Sequence, residues 1–206
     1  MTVRILNRGN IILKRAFDVV GATVLLLLAL PVMLFTAVGV FISLGRPVLF
    51  RQKRVGRGEK EFEMLKFRSM KEVGDGNDGW STGVNARKTR FGNFIRRTSI
   101  DELPQLINVL RGEMSLVGPR PEQPRFVQKF KTEIPGYEKR HFVKPGITGL
   151  AQIRGLRGDT SLTDRLLEDI SYIEGWSIWL DIKILLITPF RMINRKEIYT
   201  KGGEGN

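Results

Sequence analysis

The hydrophobic and polar positions of this chain are unevenly distributed, with a long uncharged stretch near the N-terminus. No charged residue occurs between Val19 and Leu44. As a straight helix this stretch would extend about 39 Å, whereas the hydrocarbon core of a bilayer is about 30 Å thick. It is too long for the apolar region of a signal peptide, and its length also argues against a buried core helix. The pattern therefore predicts a helix that lies in a membrane.

Pro31 lies near the centre of this stretch and predicts a bend, because proline removes a helical hydrogen bond. Each arm would then be about 18–20 Å long, which suits a hairpin that enters one leaflet and returns. Basic residues tend to stay on the cytoplasmic side, and they flank both ends of the stretch. We therefore predict a re-entrant hairpin over 16–44 with both termini in the cytoplasm; a kinked spanning helix is the alternative. The flanking residues are Lys14 and Arg15 on one side and Arg46, Arg51, Lys53 and Arg54 on the other.

Shorter patterns follow the membrane stretch. Two extended segments, Pro47–Val55 and Glu61–Met70, flank a glycine-containing turn, and the glycine-rich stretch 73–86 predicts a loop. The apolar face of 172–192 carries tryptophans near lysine and arginine, which predicts an interfacial amphipathic helix, with core packing as the alternative. We predict one catalytic domain over 1–206, of mainly helical α+β class with a short β-hairpin and a monotopic attachment to the membrane.

The composition limits the partners and cofactors of the chain. Its 206 residues carry a formal net charge of +13, which favours an anionic partner such as nucleic acid, an anionic membrane face or a phosphorylated substrate. The absence of cysteine excludes a disulfide scaffold and a cysteine-based metal site, and a single histidine excludes a histidine-rich zinc site. A bound metal would therefore be a hard ion that prefers oxygen, such as Mg²⁺.

Two adjacent carboxylates, Asp101 and Glu102, stand at the start of a short predicted helix. Pro104 is tolerated only in a first turn, so we place Asp101 at the N-cap or the first helical position. Gly112 is predicted to end the helix. Capping of the helix is the simplest interpretation of the acidic pair. Leu103, Leu106, Ile107 and Leu110 form the apolar face of this helix, and Asp101, Gln105 and Asn108 lie on the opposite, polar face.

A second feature points beyond capping. Gly118–Pro121 (GPRP) is a stiff turn that presents Arg120 between two prolines, and a guanidinium held in this way suits bidentate contact with phosphate. A carboxylate at a helix start stays ionised, so it can bind Mg²⁺ or attack phosphorus and form an acyl phosphate. Arg96 is our candidate phosphate ligand from the basic run before Asp101. Together these features suggest phosphoryl transfer.

Residues 99–122 (SIDELPQLINVLRGEMSLVGPRPE) resemble the signature of the bacterial monotopic phosphoglycosyl transferases, also called the bacterial sugar transferase family. Further similar segments occur in the family order and cover nearly the whole chain. In one respect the chain differs from many members, because Leu30 stands before Pro31 where they have a serine. The further segments are KRAFD (14–18), GRPVLFRQKRVG (45–56), KFRSM (66–70), TRFGNFIRR (89–97), KPGITGLAQIRG (144–155) and YIEGWSIWLDIKILLIT (172–188).

The resemblance implies an enzyme that moves a sugar 1-phosphate from a UDP-sugar to polyprenyl (undecaprenyl) phosphate and releases UMP. This reaction begins the assembly of exopolysaccharide, other surface polysaccharide or glycoconjugates. Asp101 would form a covalent phosphosugar intermediate, and Glu102 would act as a ligand of Mg²⁺ or as a base. Arg154, Gly146 and Thr148 would join Arg96 and Arg120 in binding phosphate. The enzyme would lie among the lipids of the bacterial inner membrane, on its cytoplasmic face.

Two other classes of protein could use the same features. A membrane-anchored nucleic-acid-binding protein would use the positive charge for phosphate backbones, but no recognisable nucleic-acid module is present, and we expect no such partner. A non-catalytic scaffold of a polysaccharide assembly complex would give the acidic pair and the GPRP turn no role. The sequence leaves open which sugar is transferred and whether the chain forms a homodimer.

Overall fold

The computed structural model describes residues 8–71, 89–158 and 160–193; the loop predicted over 73–86 lies outside these ranges. Within them the chain is mainly helical with two small two-stranded sheets, which confirms the predicted composition of the fold. The elements are α1 (Arg8–Leu44), β1 (Leu49–Val55), β2 (Glu61–Phe67), α2 (Arg90–Arg97), α3 (Gln105–Arg111), β3 (Ser115–Val117), α4 (Pro124–Glu133), β4 (Gly146–Thr148), α5 (Leu150–Ile153), α6 (Leu162–Glu174) and α7 (Ile178–Ile193).

The two extended segments predicted after the membrane stretch form an antiparallel hairpin. In the register of β1 and β2, Leu49 lies opposite Phe67 and Val55 lies opposite Glu61. Each strand is shorter at one end than predicted. The second strand stops where the side chain of Arg68 turns away to donate hydrogen bonds to backbone carbonyls at the end of α1.

The uncharged stretch lies in α1, and Gly9–Leu44 is long and apolar enough to cross a membrane. Pro31 lies inside α1, and the helix continues on both sides of it. Most of the large apolar side chains of this helix are exposed, as expected for a surface that contacts lipid rather than protein. The re-entrant bend itself stays a prediction.

The N-terminal part of α1 is fixed to the rest of the domain by polar contacts. Lys14 forms an ion pair with Asp181 of α7, with 2.7 Å between Nζ and Oδ2. Asp18 accepts a hydrogen bond from the Ser115 hydroxyl at 2.9 Å. The guanidinium of Arg15 donates to the carbonyls of Val109 and Leu110 at 2.6 and 2.8 Å, at the C-terminal end of α3.

The C-terminal part of α1 contacts the same domain. Arg68 donates to the carbonyl oxygens of Gly45 at 2.7 Å and Arg46 at 3.0 Å. Gly39 faces the ring of Phe91 on α2 so closely that a Cβ at this position would overlap the ring. Both ends of the long apolar helix are therefore attached to one domain.

One hydrophobic core joins α1 to β2, α3, β3, α6 and α7. Its buried members include Ala22, Met64, Val109, Leu116, Ile173 and Ile184, so every one of these elements contributes at least one side chain. The predicted helix over 172–192 corresponds to the end of α6, a turn and most of α7. Trp176 is buried in the core, whereas Trp179 and Phe190 are exposed. Core packing therefore holds for the side that carries Trp176, and an interfacial position for the exposed side stays a prediction.

Candidate active site

The acidic pair lies in a tight turn, Ile100–Glu102, directly before α3. The prediction that Asp101 begins the helix is wrong, because Pro104 occupies the N-cap position and α3 starts at Gln105. Ser99 enters the turn with a φ of 56°, in the left-handed region that residues other than glycine rarely adopt. In this turn the residues Asp101 and Glu102 are each only 9% exposed.

The polar side of α3 faces the protein interior. Asn108 is fully buried; its side-chain oxygen accepts from the N–H of Leu65 at 3.0 Å and its amide donates to the carbonyl of Glu63 at 2.8 Å. The side chain thus binds the backbone of β2 as a neighbouring strand would. This contact fixes the position of α3 on β2 and brings the following residue of the strand, Lys66, to the acidic pair.

Glu102 accepts contacts from two cations on the same oxygen. The distances from its Oε1 atom are 2.9 Å to Nζ of Lys66 and 3.1 Å to Nη2 of Arg120. Burial would raise the pKa of Glu102, but the charges of Lys66 and Arg120 outweigh it and hold the pKa well below its usual value. Glu102 is therefore ionised near neutral pH, and it connects β2 to the GPRP turn.

Asp101 has a different environment. Within the described part of the chain, no hydrogen bond or ion pair reaches its carboxylate. Burial and the adjacent charge of Glu102 raise the pKa of Asp101 to about 6, although Lys66, Arg96 and Arg120 partly offset the increase. A carboxylate of higher pKa is a stronger nucleophile. Neighbouring acids with pKa values pushed in opposite directions are typical of a catalytic pair with divided roles.

Lys66 is a member of the site that the sequence reasoning missed. Its side chain is 17% exposed, and burial lowers its pKa while the charge of Glu102 opposes that change. The residues before and after it, Leu65 and Phe67, are buried. A lysine inside such a strand needs a carboxylate partner, and this pattern is the signal that could have identified it.

The GPRP turn is held by the parallel strands β3 and β4. The N–H of Gly146 donates to the carbonyl of Pro119 at 2.9 Å, and the N–H of Gly118 donates to the carbonyl of Thr148 at 2.8 Å. A Cβ on Gly146 would overlap the backbone of Gly118, so this pair of chains can approach only because a side chain is absent. The turn is consequently rigid where it presents Arg120.

A buried arginine supports Arg120 from behind. Arg140 donates to the carbonyl oxygen of Arg120 at 2.9 Å and to the hydroxyl of Tyr137 at 2.6 Å. It also pairs with Asp169 of α6, with 2.7 Å between Nη2 and Oδ2. Both members of this pair are almost completely buried. Arg140 therefore ties the GPRP turn to α6, a role that sequence reasoning did not assign.

The structure places the other predicted phosphate ligands as follows. Arg96 of α2 is close enough to Asp101 to lower its pKa. Arg154 forms an ion pair with Glu168 of α6. Thr148 and Gly146 make hydrogen bonds within the fold. The Thr148 hydroxyl lies 2.9 Å from that of Thr188, and the N–H of Gly146 donates to the carbonyl of Pro119. Phosphate binding by these four residues stays a prediction.

The acidic pair was also predicted to bind Mg²⁺. Among the residues that the structure describes, no group of three or more acidic or histidine side chains could hold a metal ion. Mg²⁺ is commonly bound by one or two carboxylates, together with water and substrate phosphates. Asp101 and Glu102 fit such an ion when a diphosphate supplies further ligands, because the Asp101 carboxylate has no protein partner among the described residues.

Comparison with known proteins identifies the family of the chain. Residues 9–195 match the family model described as bacterial sugar transferase. The chain belongs to the bacterial sugar transferase family.

Several relatives are named for a specific transfer reaction. The chain is 47% identical over 199 residues to the UDP-glucose:undecaprenyl-phosphate glucose-1-phosphate transferase of Escherichia coli (strain K12), covering 94% of this chain and 43% of the relative. It is 44% identical to the UDP-N-acetylgalactosamine-undecaprenyl-phosphate N-acetylgalactosaminephosphotransferase of Aeromonas hydrophila, covering 85% and 42%. The chain thus spans less than half of these two relatives.

Another relative is of similar length to this chain. The exopolysaccharide production protein PSS of Rhizobium leguminosarum bv. phaseoli is 40% identical over 195 residues, which cover 90% of this chain and 98% of that protein. The relatives' names describe transferases and polysaccharide production. They give no support to the alternative of a nucleic-acid-binding protein.

Proposed function

We propose that this chain is a monotopic phosphoglycosyl transferase that moves a sugar 1-phosphate from a UDP-sugar to undecaprenyl phosphate. The observation that carries the proposal is the division of roles between the two carboxylates. Glu102 is held by Lys66 and Arg120, whereas Asp101 is buried beside them with a raised pKa and no partner among the described residues. The relatives are named for glucose and for N-acetylgalactosamine, so we propose a UDP-hexose donor.

In the first half-reaction, a carboxylate oxygen of Asp101 attacks the phosphorus that bears the sugar. The bond from that phosphorus to the bridging oxygen of the diphosphate breaks, and UMP leaves with the bonding electron pair. The sugar phosphate remains as an acyl phosphate on Asp101. Arg120, fixed by its turn, and Lys66 lie beside the reacting group and offset the negative charge of the phosphates.

In the second half-reaction, a phosphate oxygen of undecaprenyl phosphate attacks the same phosphorus. The acyl phosphate bond breaks, the Asp101 carboxylate is released and undecaprenyl diphosphate sugar forms. Glu102 would keep the acceptor phosphate deprotonated or contribute to metal binding. Because both substrates react at Asp101, the apolar acceptor and the polar donor must meet at one membrane surface.

Mg²⁺ would be held by Asp101 and Glu102 together with the donor diphosphate, and it would supply charge neutralisation of the leaving phosphate. The protein contributes cations whose orientation does not require the ion. The buried Lys66 and the rigid Arg120 are already oriented toward the acidic pair, so little reorganisation is needed when substrate binds.

We further propose that α1 is re-entrant and that both of its ends lie on the cytoplasmic face of the inner membrane. The contacts of Arg15 with α3 and of Arg68 with the end of α1 support this topology. A helix that spanned the bilayer would separate its two ends by the full hydrocarbon thickness of about 30 Å, and one cytoplasmic domain could not then hold both. Pro31 supplies the position at which the helix can bend.

The transfer is tested with purified protein, radiolabelled UDP-sugar, Mg²⁺ and undecaprenyl phosphate. Wild type should release UMP, and without acceptor it should retain label on the peptide that contains Asp101. Asp101→Asn should lose both signals, whereas the matched control Asp164→Asn, an exposed aspartate in the first turn of α6, should keep them. Label that persists on the Asp101→Asn protein would refute the covalent assignment.

The topology is tested with single cysteines, since the natural chain has none. Asn10→Cys lies at the start of α1, and Lys53→Cys lies on the exposed side of β1. In intact cells both should be protected from a membrane-impermeant maleimide and become reactive after permeabilisation. Labelling of Asn10→Cys in intact cells would show that α1 spans the membrane.

A further inference from the structure

A cavity of about 190 Å³ lies at the N-terminal part of α1, away from the acidic pair. Its walls come from α1, from the turn between β1 and β2, and from the segment before β4. Arg15 and Lys144 meet at the C-terminal end of α3, where both side-chain nitrogens lie 3.5–3.6 Å from the position that a Cβ on Gly112 would occupy. The cavity is thus built by several elements rather than by one loop.

Positive charge dominates the cavity. Lys14, Arg15, Arg57 and Lys144 line it, and Asp18 is its one acidic lining residue. Asp18 is already engaged, because it accepts from the Ser115 hydroxyl and from the N–H of Leu116. An anion in the cavity would therefore face several cations and one carboxylate that is turned toward the protein.

Two of the four cations have their charge satisfied by the protein. Lys14 pairs with Asp181, and Arg15 donates to the carbonyls at the C-terminal end of α3, where the helix dipole is negative. Arg57 and Lys144 have no ion-pair partner among the described residues. Burial and the charge of Arg15 lower the pKa of Lys144, and the charge of Asp18 opposes this shift without reversing it.

An apolar groove continues from the cavity along α1. The groove and the cavity share Ile11 and Arg15, and Ile12, Ala16 and Val19 complete the groove. Ile12 is 70% exposed. A charged cavity that opens onto an apolar helix surface matches an amphiphile with an anionic head and a hydrocarbon chain.

We propose that this cavity binds the phosphate headgroup of an anionic membrane phospholipid, with Arg57 and Lys144 as the recognising cations and the groove along α1 as the path of an acyl chain. The site goes beyond the proposed transfer reaction. It lies at the C-terminal end of α3, whereas the acidic pair precedes the N-terminal end. The helix between them is about 10 Å long, so a phosphate held here does not contact Asp101.

The test uses the full chain in a neutral detergent and isothermal titration calorimetry with short-chain lipids. Dihexanoyl phosphatidylglycerol is the anionic probe, dihexanoyl phosphatidylcholine is the zwitterionic probe, and inorganic phosphate and farnesyl phosphate test the other sources of the same anionic group. We expect phosphatidylglycerol to bind at least about tenfold more tightly than phosphatidylcholine or inorganic phosphate.

The variants separate the cavity from general surface charge. Arg57→Gln with Lys144→Gln should weaken phosphatidylglycerol binding by about tenfold or more. The matched control, Arg51→Gln with Lys53→Gln, removes the same charge from exposed positions of β1 and should keep wild-type affinity. Arg57→Gln alone changes an exposed side chain, and it provides a folded variant in which part of the loss should remain even if the double variant unfolds.

Several outcomes would overturn the proposal. Equal binding of phosphatidylcholine would show that headgroup charge is not recognised, and equal binding of inorganic phosphate would show that no lipid is needed. Preference for farnesyl phosphate would assign the cavity to a polyprenyl phosphate instead. An equal loss of affinity in the β1 control would show that binding depends only on the net charge of the protein. Because the readout is binding, these results do not depend on UMP release.

Discussion

Replacement of Asp101 by asparagine isolates the energetic cost of an ionised carboxylate in the buried site. Burial and Glu102 raise the pKa of Asp101 from 3.8 to about 6, so the folded protein binds this proton more tightly than the unfolded chain. The contribution of Asp101 to stability is therefore greatest below pH 3.8, and it decreases as the pH rises to about 6. The difference between these two pKa values lowers the free energy of unfolding by ~3 kcal/mol at neutral pH.

Asparagine has nearly the same shape and carries no charge, so it removes this cost. We expect Asp101→Asn to be inactive and yet more stable than wild type by about 3 kcal/mol near pH 8, which for a chain of this size corresponds to a melting temperature higher by roughly 6–12 °C. Near pH 4 the two proteins should differ little, because Asp101 is then protonated in the folded state.

The melting temperatures are measured between pH 4 and pH 8 in detergent with EDTA, with tryptophan fluorescence as the signal of unfolding. Asp164→Asn is the control: this aspartate is exposed at the start of α6, and its replacement should change stability by no more than about 0.5 kcal/mol. A raised pKa of Asp101 is refuted if Asp101→Asn is no more stable than wild type near pH 8, or if its gain in stability is the same near pH 4.

Further predictions concern the same site. The kcat/KM of UMP release should decrease about tenfold per pH unit below about pH 6, as the Asp101 carboxylate becomes protonated; a flat profile down to pH 5 would argue against this nucleophile. Glu102→Gln leaves Lys66 and Arg120 without their counter-ion and should lower stability by about 2–4 kcal/mol near neutral pH, measured by thermal unfolding. The difference should decrease below pH 4.5, where the unfolded chain begins to bind this proton, and disappear only as the pH falls through the lowered pKa of Glu102 in the folded protein. Arg140→Lys cannot reproduce the fork that holds the Arg120 carbonyl, so it should raise the KM for the donor in a protein that thermal unfolding shows to be folded. Unchanged kinetics would exclude a positioning role. EDTA should stop UMP release and Mg²⁺ should restore it, whereas full activity after chelation would remove Mg²⁺ from the proposal.

Local sequence patterns predicted the elements that depend on nearby residues. The uncharged run from Val19 to Leu44 lies within α1, and the two extended segments around the glycine-containing turn located both strands of the hairpin within three residues. Gly112 ends α3 in the left-handed conformation, as a glycine after a helix indicates. These features follow from hydropathy, chain length and backbone preference, which neighbouring residues determine.

The parts that the sequence did not predict depend on contacts between distant segments. Asn108 was placed on a polar helix face, but its amide binds the backbone of β2, more than forty residues earlier in the chain. The position of Lys66 beside Glu102 follows from that contact, so helix periodicity could not indicate it. Ser99 shows a related limit, because its left-handed φ displaces the start of α3 although serine gives no local signal for it.

The electrostatics of the site and the packing of the fold depend on the same bonds. Lys66 comes from β2, the acidic pair from the turn before α3, and Arg120 from the turn after β3. Asn108 holds the junction between α3 and β2, and Arg140 holds the junction between the GPRP turn and α6. If either junction opened, Glu102 would lose a cation and the two carboxylates would compete for one proton near neutral pH. Asp101 would then be partly neutral, and only its ionised fraction could act as a nucleophile. The buried contacts around Asn108 and Arg140 therefore determine the charge state of the nucleophile, even though neither residue contacts Asp101 directly.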